Sequence, residues 1–372
     1  MINENKYIRL FECCIPVKGS RCSIIMDMQR KSVKFVPNDL VNIIERNEQK
    51  SIKEITTELP PDDKETFLEY IDFLLAHELA FLLDKDETSF FPKMSKEWDN
   101  PNFVTNTVIY LERYPKFDLH DVVNQLDVLL CNHVYLVISY DIPFTKLQEI
   151  IDCVSKSSIQ SIYLALNFNP TLISDNILEL TKQFERIVLI EIYGMLDNPY
   201  KNHVAPTIIA YSNRLENMQD CGIIHTDYFS LNLPFYTEAQ NHNTCLNRKL
   251  CIDANGNIKN CLSMNRSFGN IKDTTLSEAI EKEGFKDLWF ITKDQIDVCK
   301  DCEFRYMCTD CRCFIKDPDN IYSQPAKCHY NPYIAKWAGE EGYVPIEECG
   351  SYSKETGFVP DIEKIAAINN CT

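Results

Sequence analysis

The sequence predicts an α/β protein with a small N-terminal domain, a partial β/α barrel and a cysteine-rich C-terminal region. Three observations support this fold class. Strand-like and helix-like patterns alternate between residues 104 and 235, and such alternation is typical of a parallel sheet with right-handed crossovers. Residues 1–85 combine short β-rich runs with amphipathic helical patterns. Nine of the 17 cysteines lie between Cys245 and Cys328.

The first region, residues 1–85, reads as a β-hairpin followed by helices. Its β-rich runs are "YIRLFECC", "CSIIMDM" and "SVKFV". Helical patterns follow from Pro37, and in the last of them Phe67, Ile71 and Leu74 recur at helical spacing. A closing strand, "LAFLL", ends the region. We therefore predict a winged-helix-like domain, followed by a linker over residues 84–103.

The middle region, residues 104–235, has room for about five strand–helix units, which is too few for an eight-stranded barrel. Its strand candidates are "NTVIYLERY", "VYLVISYDI", "SIYLALNF", "RIVLIEIYG" and "IIHTDYFSLNL". The helical segments between them include "FTKLQEIIDCVSKS" and "ISDNILELTKQFE". The sequence thus predicts a partial barrel or an open sheet, then a cysteine-rich domain over residues 236–340 and a tail over residues 341–372.

Composition and charge exclude several classes of partner. A net charge of −17 over 372 residues, with no basic stripe, argues against a nucleic-acid partner, because phosphate binding needs clustered Lys and Arg. No run approaches the roughly 20 apolar residues of a membrane helix, and the N-terminus does not resemble a signal peptide. We expect a cytoplasmic protein without a membrane partner. In that reducing compartment, dense cysteines indicate metal binding rather than disulfides.

The cysteine spacing indicates metal sites but leaves the metal open. The pattern is Cys245-x5-Cys251-x9-Cys261, then Cys299-x2-Cys302-x5-Cys308-x2-Cys311-x1-Cys313, then Cys328. The Asn-Gly pair at Gly256 predicts a tight turn that brings Cys261 back toward Cys251. Zinc and iron–sulfur clusters both accept four thiolates. The spacing of five and nine differs from the paired CxxC of zinc ribbons and favours iron–sulfur, without excluding zinc.

This cysteine pattern resembles the SPASM domain, which carries auxiliary iron–sulfur clusters in peptide-modifying radical S-adenosylmethionine enzymes. The resemblance implies two [4Fe–4S] clusters whose ligand sets interleave. One set would be Cys245, Cys251, Cys261 and Cys311, and the other Cys299, Cys302, Cys308 and Cys328. The usual family spacing would put a cysteine at Arg312, but here Cys311 and Cys313 flank that position. Cys313 is therefore the alternative ligand to Cys311.

The segments "CEFRYMCTDCR" and "CHYNPYIAKW" resemble one subgroup, the SPASM-domain peptide maturases of grasp-with-spasm systems. This resemblance implies a role in the maturation of a ribosomally made peptide (RiPP biosynthesis), with a ribosomal precursor peptide and an ATP-grasp ligase as partners. The first domain is similar to winged-helix elements that bind leader peptides by adding them to a sheet edge. The aromatic residues Tyr330, Tyr333 and Trp337 are expected to shield the clusters.

Two elements of a radical S-adenosylmethionine enzyme are missing. No CxxxCxxC triplet occurs, and after the first barrel strand the chain offers a single cysteine, Cys131. The glycine-rich segment that follows the second strand in that family is replaced by "VISYDIPF". We expect a degenerate radical-enzyme barrel that does not cleave S-adenosylmethionine, and we assign no catalytic residue.

Eight cysteines lie outside the dense region and are predicted to be inert thiols. They are Cys13, Cys14, Cys22, Cys131, Cys153, Cys221, Cys349 and Cys371. Two alternative functions stay open at this point. One is a non-catalytic peptide-binding scaffold with structural clusters, and the other is a zinc protein of unrelated function.

Overall fold

The computed structural model describes residues 2–169, 174–195, 201–202, 206–216 and 221–371. The chain forms two compact units, each built from segments that are distant in sequence. Unit 1 comprises Met1–Trp98, Ile223–Thr244 and Ile291–Thr372, and unit 2 comprises Asp99–Gly222 and Cys245–Phe290. The helices of the described residues are too short or too polar to span a lipid bilayer.

The N-terminal segment of unit 1 contains five strands and three helices. The strands are β1 (Tyr7–Leu10), β2 (Cys14–Lys18), β3 (Ser23–Asp27), β4 (Ser32–Val36) and β5 (Ala80–Leu83). The helices are α1 (Asn38–Arg46), α2 (Ile52–Glu58) and α3 (Pro61–Ala76). Strand β1 pairs antiparallel with β5, and β2, β3 and β4 form a separate antiparallel sheet.

Local sequence explains these helices. Ser51 begins α2 with a capping box: its hydroxyl accepts from the Glu54 amide at 3.3 Å, and the Glu54 carboxylate accepts from the Ser51 amide at 2.7 Å. On α3, the predicted residues Phe67, Ile71 and Leu74 are all buried. Their spacing puts them on one face of the helix, so α3 covers the core of this segment.

Unit 2 contains the predicted alternation of strands and helices. Its first strands are β6 (Asn106–Leu111), β7 (His133–Ile138), β8 (Ser161–Asn167), β9 (Ile187–Tyr193), β10 (Lys201–Asn202) and β11 (Thr207–Tyr211). The helices between them are α4 (Leu119–Val128), α5 (Phe144–Ser155) and α6 (Ser174–Gln183). Asp118 caps α4 by accepting from two amides of the first turn, at 2.9 and 3.3 Å.

The predicted strand "IIHTDYFSLNL" is wrong. This segment contains a short 3-10 turn at Thr226–Tyr228 and then α7 (Leu233–Asn241), which belongs to unit 1. Asn232 caps α7 by accepting from the Phe235 amide at 2.9 Å, and Pro234 suits the first helical turn. Capping and turn residues therefore override the apolar alternation that indicated a strand.

The sheet of unit 2 gains two strands from the cysteine-rich region. These are β12 (Lys249–Ile252) and β13 (Ile258–Lys259), and a short helix, α8 (Leu276–Glu281), follows. The strand order is β10-β11-β9-β8-β7-β6-β12-β13. The pairs from β11 to β12 are parallel, so six strands form a parallel sheet with a short antiparallel strand at each edge. The α/β class with a parallel sheet is as predicted.

The remainder of unit 1 contains short hairpins and a terminal helix. These elements are β14 (Tyr330–Asn331), β15 (Lys336–Trp337), β16 (Gly350–Ser353), β17 (Gly357–Pro360) and α9 (Ile362–Cys371). Helix α9 lies within the segment that the sequence analysis describes as a tail, residues 341–372. Little regular structure lies between Ile291 and Tyr330, so turns and side-chain contacts position the cysteines there.

Candidate metal centres

Four cysteine side chains of unit 1 line one cavity. They are Cys299, Cys302, Cys308 and Cys328, the set that the sequence groups as the ligands of one cluster. The structure thus brings these four thiols together, although their role as ligands stays a prediction.

A tight turn places the first two of these thiols. Val298, buried and with a φ of +65°, precedes a 3-10 turn at Cys299–Asp301, a backbone conformation that is strained for a β-branched residue. The Cys302 amide then donates to the Cys299 carbonyl at 3.0 Å. This geometry lets both thiols of the CxxC segment face the same cavity.

Turns also place the other two thiols. The Cys308 amide donates to the Phe304 carbonyl at 3.1 Å, and the Cys328 amide donates to the Pro325 carbonyl at 3.2 Å. Of the three aromatic residues expected to shield the clusters, Tyr330 and Trp337 line this cavity. Tyr333 does not. It packs in a separate core, with its hydroxyl donating to Asp301 at 2.8 Å.

A buried lysine lies against this set of thiols. The Lys293 ammonium is 3.4 Å from Cys308 Sγ and 3.9 Å from Cys299 Sγ, and the residue is only 4% exposed. Burial lowers the Lys293 pKa, but the Cys299 and Cys308 thiolates and Asp310 outweigh it and raise the pKa well above its ordinary value. Burial raises the pKa of Cys299 and of Cys308 to about 11, against the effect of Lys293. A cation beside these thiols therefore favours the thiolate form that binds metal.

Lys293 belongs to a wider buried network around Asp310. Asp310 Oδ1 is 2.7 Å from an Arg312 guanidinium nitrogen and 3.7 Å from the Lys293 ammonium, and Asn243 donates to Asp310 Oδ2 at 2.6 Å. Arg312 also donates to the Ser323 carbonyl at 2.8 Å. The position where the family spacing would put a cysteine therefore holds a buried guanidinium with its own partners.

Unit 2 holds the first three cysteines of the other predicted set, Cys245, Cys251 and Cys261. Cys251 lies on β12, which pairs with β13 through the predicted hairpin. Gly256 forms the turn with a φ of +84°, and a Cβ there would lie 2.9 Å from Ile271. The hairpin thus returns the chain toward Cys251, as the Asn-Gly pair predicts.

A second lysine, Lys249, accompanies this set. The Cys245 thiolate raises the Lys249 pKa most, burial opposes it, and the Cys251, Cys261 and Cys221 thiolates add to the rise. Burial raises the Cys251 pKa to about 12, while Lys249 lowers it. Each of the two thiol sets therefore has its own lysine.

The fourth ligand of this set stays a prediction. Cys311 and Cys313 belong to unit 1, whereas the other three cysteines of the set belong to unit 2. Cys311 is 5% exposed and accepts from the Phe314 amide at 3.4 Å. Cys313 is more exposed than Cys311.

The eight scattered cysteines differ in their burial. Cys14, Cys131, Cys153 and Cys349 are buried, and Cys13 and Cys22 are half-buried. Cys221 is close enough to Lys249 to affect its pKa, which its isolated position in the sequence did not indicate. The side chain of Cys371 lies outside the described residues.

The donor set that lines the cavity of unit 1 is four thiols without a histidine. Zinc and iron–sulfur clusters both accept four thiolates, so this donor set suits either of them. Within the described part of the chain, one group of three or more Cys, His, Asp or Glu residues has all its ligand atoms within 4.8 Å of one another, and it consists of Cys13, Cys14 and Asp27.

The group of Cys13, Cys14 and Asp27 has a structural explanation. Asp27 accepts from the amides of Gln29 and Arg30 at 3.0 and 2.9 Å, and the Arg30 guanidinium lies 2.9 Å from Asp27 Oδ2. Asp27 therefore closes the β3–β4 turn and is neutralised by Arg30.

Comparison with known proteins identifies one domain. Residues 244–303 match the family model for SPASM, an iron–sulfur cluster-binding domain, so the chain carries a SPASM domain, as the resemblance of its cysteine pattern implies. No curated protein matches the chain.

Solved structures that resemble the chain include three of Streptococcus suis SuiB. The structure bound to S-adenosylmethionine shares 13% identity and a TM-score of 0.31, covering 84% of this chain and 95% of that one. The structure of SuiB alone shares 11% sequence identity and a TM-score of 0.32, covering 84% of this chain and 96% of that one. The structure of SuiB bound to the precursor peptide SuiA shares 12% identity and a TM-score of 0.33, covering 87% of this chain and 98% of that one.

Sequence reasoning missed both lysines and Asp310. A lysine is ordinarily exposed, so a single Lys in a sequence carries no sign of burial. The acid at Asp310 also looks like an ordinary surface residue of a cysteine-rich loop. The one sequence signal for these three residues is that charged residues stand among closely spaced cysteines.

Proposed function

We propose that this chain binds two [4Fe–4S] clusters. Cys299, Cys302, Cys308 and Cys328 would hold one of them. The observation that carries this proposal is the convergence of these four thiols on one cavity beside a buried lysine. When bound, a cluster would supply one-electron redox chemistry or a structural cross-link. The residues of this chain orient the thiols and exclude water from them.

The second cluster would be held by Cys245, Cys251 and Cys261, with Cys311 or Cys313 as the fourth ligand. The SPASM match over residues 244–303 supports an iron–sulfur role for the first three. The hairpin of β12 and β13 and the lysine at position 249 support their grouping.

We further propose that the chain acts in the maturation of a ribosomally made peptide together with an ATP-grasp ligase. This rests on the SPASM domain and on the resemblance of "CEFRYMCTDCR" and "CHYNPYIAKW" to peptide maturases. The N-terminal segment would be a winged-helix-like domain that recognises the precursor.

A groove in unit 1 supports peptide recognition. It has a volume of about 1000 Å³ and is lined along its length by β1 and β2. The Phe11 amide donates to the Leu79 carbonyl at 3.0 Å, so the alternate residues Ile8 and Leu10 direct their backbone groups away from β5. An extended peptide could pair with that edge by main-chain hydrogen bonds.

The facing strand limits how a peptide would bind. Cys14 donates its amide to the Phe11 carbonyl at 2.8 Å, so Cys14 and Pro16 direct their backbone groups away from β3. Pro16 has no N–H to donate, and the Lys18 carbonyl already accepts from Arg305 at 2.5 Å. We therefore expect the peptide to pair with β1 rather than with β2.

We propose that the chain does not cleave S-adenosylmethionine. It lacks CxxxCxxC. In addition, Leu215 covers one face of the sheet, where it packs with Val108, Val137 and Ala165. Asn167 fixes Leu215 by accepting from its amide at 2.8 Å and donating to its carbonyl at 3.0 Å.

Iron and sulfide analysis after anaerobic purification tests the clusters. We expect about eight irons and eight sulfides per chain for two [4Fe–4S] clusters, with an absorbance band at about 400 nm. Stoichiometric zinc without sulfide would contradict the proposal. Incubation with S-adenosylmethionine and dithionite should give no 5′-deoxyadenosine, and its formation would overturn the assignment of a degenerate barrel.

A binding experiment tests the peptide function. If the neighbouring genes encode a short peptide and an ATP-grasp ligase, both should be retained by the immobilised holoprotein. Leu10→Pro removes one backbone donor from the groove edge and should weaken peptide binding. Leu10→Ala keeps the donor and serves as the matched control. Binding of neither partner by the wild-type holoprotein would contradict the maturation function.

A further inference from the structure

The four thiols in unit 1 lie in an unevenly charged environment. Lys293 lies against Cys299 and Cys308, at 3.9 and 3.4 Å from their sulfurs. Beside Cys302 lies Glu303, which is fully buried and accepts from the Tyr330 hydroxyl and from Cys22 Sγ. A cation and a carboxyl group are thus both built into the protein around this set.

The Lys293 charge is not cancelled by its own neighbours. Among the described side chains, Asp310 is the one carboxylate within ion-pair distance of Lys293, at 3.7 Å. The same carboxylate is closer to Arg312, at 2.7 Å, and accepts from Asn243 at 2.6 Å. Two buried cations share one carboxylate, so a net positive charge remains on the side of Cys299 and Cys308.

A buried ammonium is costly unless it is paired. Here the nearest sulfur, Cys308 Sγ, is closer to the ammonium than the carboxylate is, at 3.4 Å against 3.7 Å. Lys293 therefore directs its charge and its N–H donors mainly at the thiols. Hydrogen bonds to ligand sulfurs and nearby charge are two of the ways in which a protein sets the reduction potential of a cluster.

We propose that Lys293 is a positioning residue that raises the reduction potential of the cluster held by Cys299, Cys302, Cys308 and Cys328. This inference rests on the proposed function, because it requires that a cluster is bound there. Reduction adds one electron to the cluster and makes it more negative, so a fixed cation beside two of its ligands stabilises the reduced form. No proton needs to move.

The test is a potentiometric titration of the anaerobic, full-length holoprotein, followed by electron paramagnetic resonance, with dithionite as the electron donor. Lys293→Met removes the charge and the donors but keeps an unbranched side chain. We expect the equilibrium constant for reduction of the cluster in unit 1 to fall at least tenfold, which lowers its reduction potential by about 59 mV for a one-electron couple. The other cluster should keep its potential and serves as an internal reference.

A matched control comes from the same loop. Lys300 directly follows Cys299, but its side chain is 40% exposed and lies 3.7 Å from Asp297. Lys300→Met removes the same charge without removing a sulfur contact. We expect Lys300→Met to lower the reduction potential by less than a third as much as Lys293→Met, because solvent screens an exposed charge. Equal shifts in the two variants would overturn the proposal.

A second variant keeps the inference testable if Lys293→Met fails to fold. Asp310→Asn removes the shared carboxylate and leaves both cations, so it should shift the same potential upward. An unchanged potential in either variant with full iron content would refute the inference. Absence of iron–sulfur clusters from the wild-type protein would instead refute the proposed function.

Discussion

The substitution Asp310→Ala tests the buried network beside the cysteines. Asp310 and Arg312 have side chains that are each 1% exposed, with a separation of 2.7 Å, and Lys293 lies 3.7 Å away. Alanine at position 310 would leave two buried cations without a carboxylate. Removing one partner of a buried ion pair costs about 3–5 kcal/mol, because the remaining charge stays desolvated. We expect a loss of this size in the free energy of unfolding of unit 1.

A surface pair of the same unit provides the control. Lys316 and Glu347 are 3.1 Å apart, but Glu347 is 58% exposed. Glu347→Ala should therefore cost between zero and about 1 kcal/mol. The double variant Asp310→Ala with Arg312→Met removes one of the two cations and should recover part of the loss.

The assay is urea unfolding of the anaerobic holoprotein, with tryptophan fluorescence and cluster absorbance recorded together. Loss of the cluster makes unfolding depart from two states, so variants are compared at equal iron content. If Asp310→Ala is no more destabilising than Glu347→Ala, the network does not stabilise unit 1. Failure of the double variant to recover any stability would show that charge is not the cause.

Three further predictions concern the same region. Cys308→Ala should lower iron from about eight to about four per chain, whereas Cys349→Ala, a buried thiol outside both sets, should leave it unchanged. Cys311→Ala, but not Cys313→Ala, should remove the other cluster, as judged by iron content and electron paramagnetic resonance. Burial raises the Glu303 pKa above its ordinary 4.5, so the native state holds this proton more tightly and stability should fall as pH rises from about 4.5 through the raised pKa. Glu303→Gln should remove that fall, measured by urea unfolding at several pH values.

The sequence predicts the strands, helices and turns that are determined by residues close together in the chain. Apolar patterns in the sequence identify β6 to β9, α5 and α6, because each of these strands and helices buries residues at its own characteristic spacing. The Asn-Gly pair predicts the hairpin of β12 and β13, because Gly256 needs a positive φ. The cysteine pattern resembles the SPASM domain, and the match over residues 244–303 confirms this resemblance.

The elements that depend on distant contacts could not be predicted in this way. Nothing in the residues near Lys249 indicates that β12 pairs with β6 from 143 residues earlier in the chain, as the register of Lys249 with Asn106 requires. The raised pKa of Lys293 depends on thiols that follow it in sequence and on a carboxylate at position 310. The strand predicted over residues 223–233 is wrong for the opposite reason, because a local helix cap at Asn232 outweighs the apolar pattern of the segment.

The position of β12 gives a reason for a chain without CxxxCxxC to keep its cluster ligands. Cys251 lies on β12, and β12 extends the parallel sheet beside β6, so a predicted ligand belongs to the sheet itself. Cys251 is 1% exposed and packs in the same core as Val108, Ala165 and Leu215. Metal bound there would contribute folding free energy, as it does in other thiolate sites. A cluster held by Cys251 would therefore stabilise the sheet independently of any redox role.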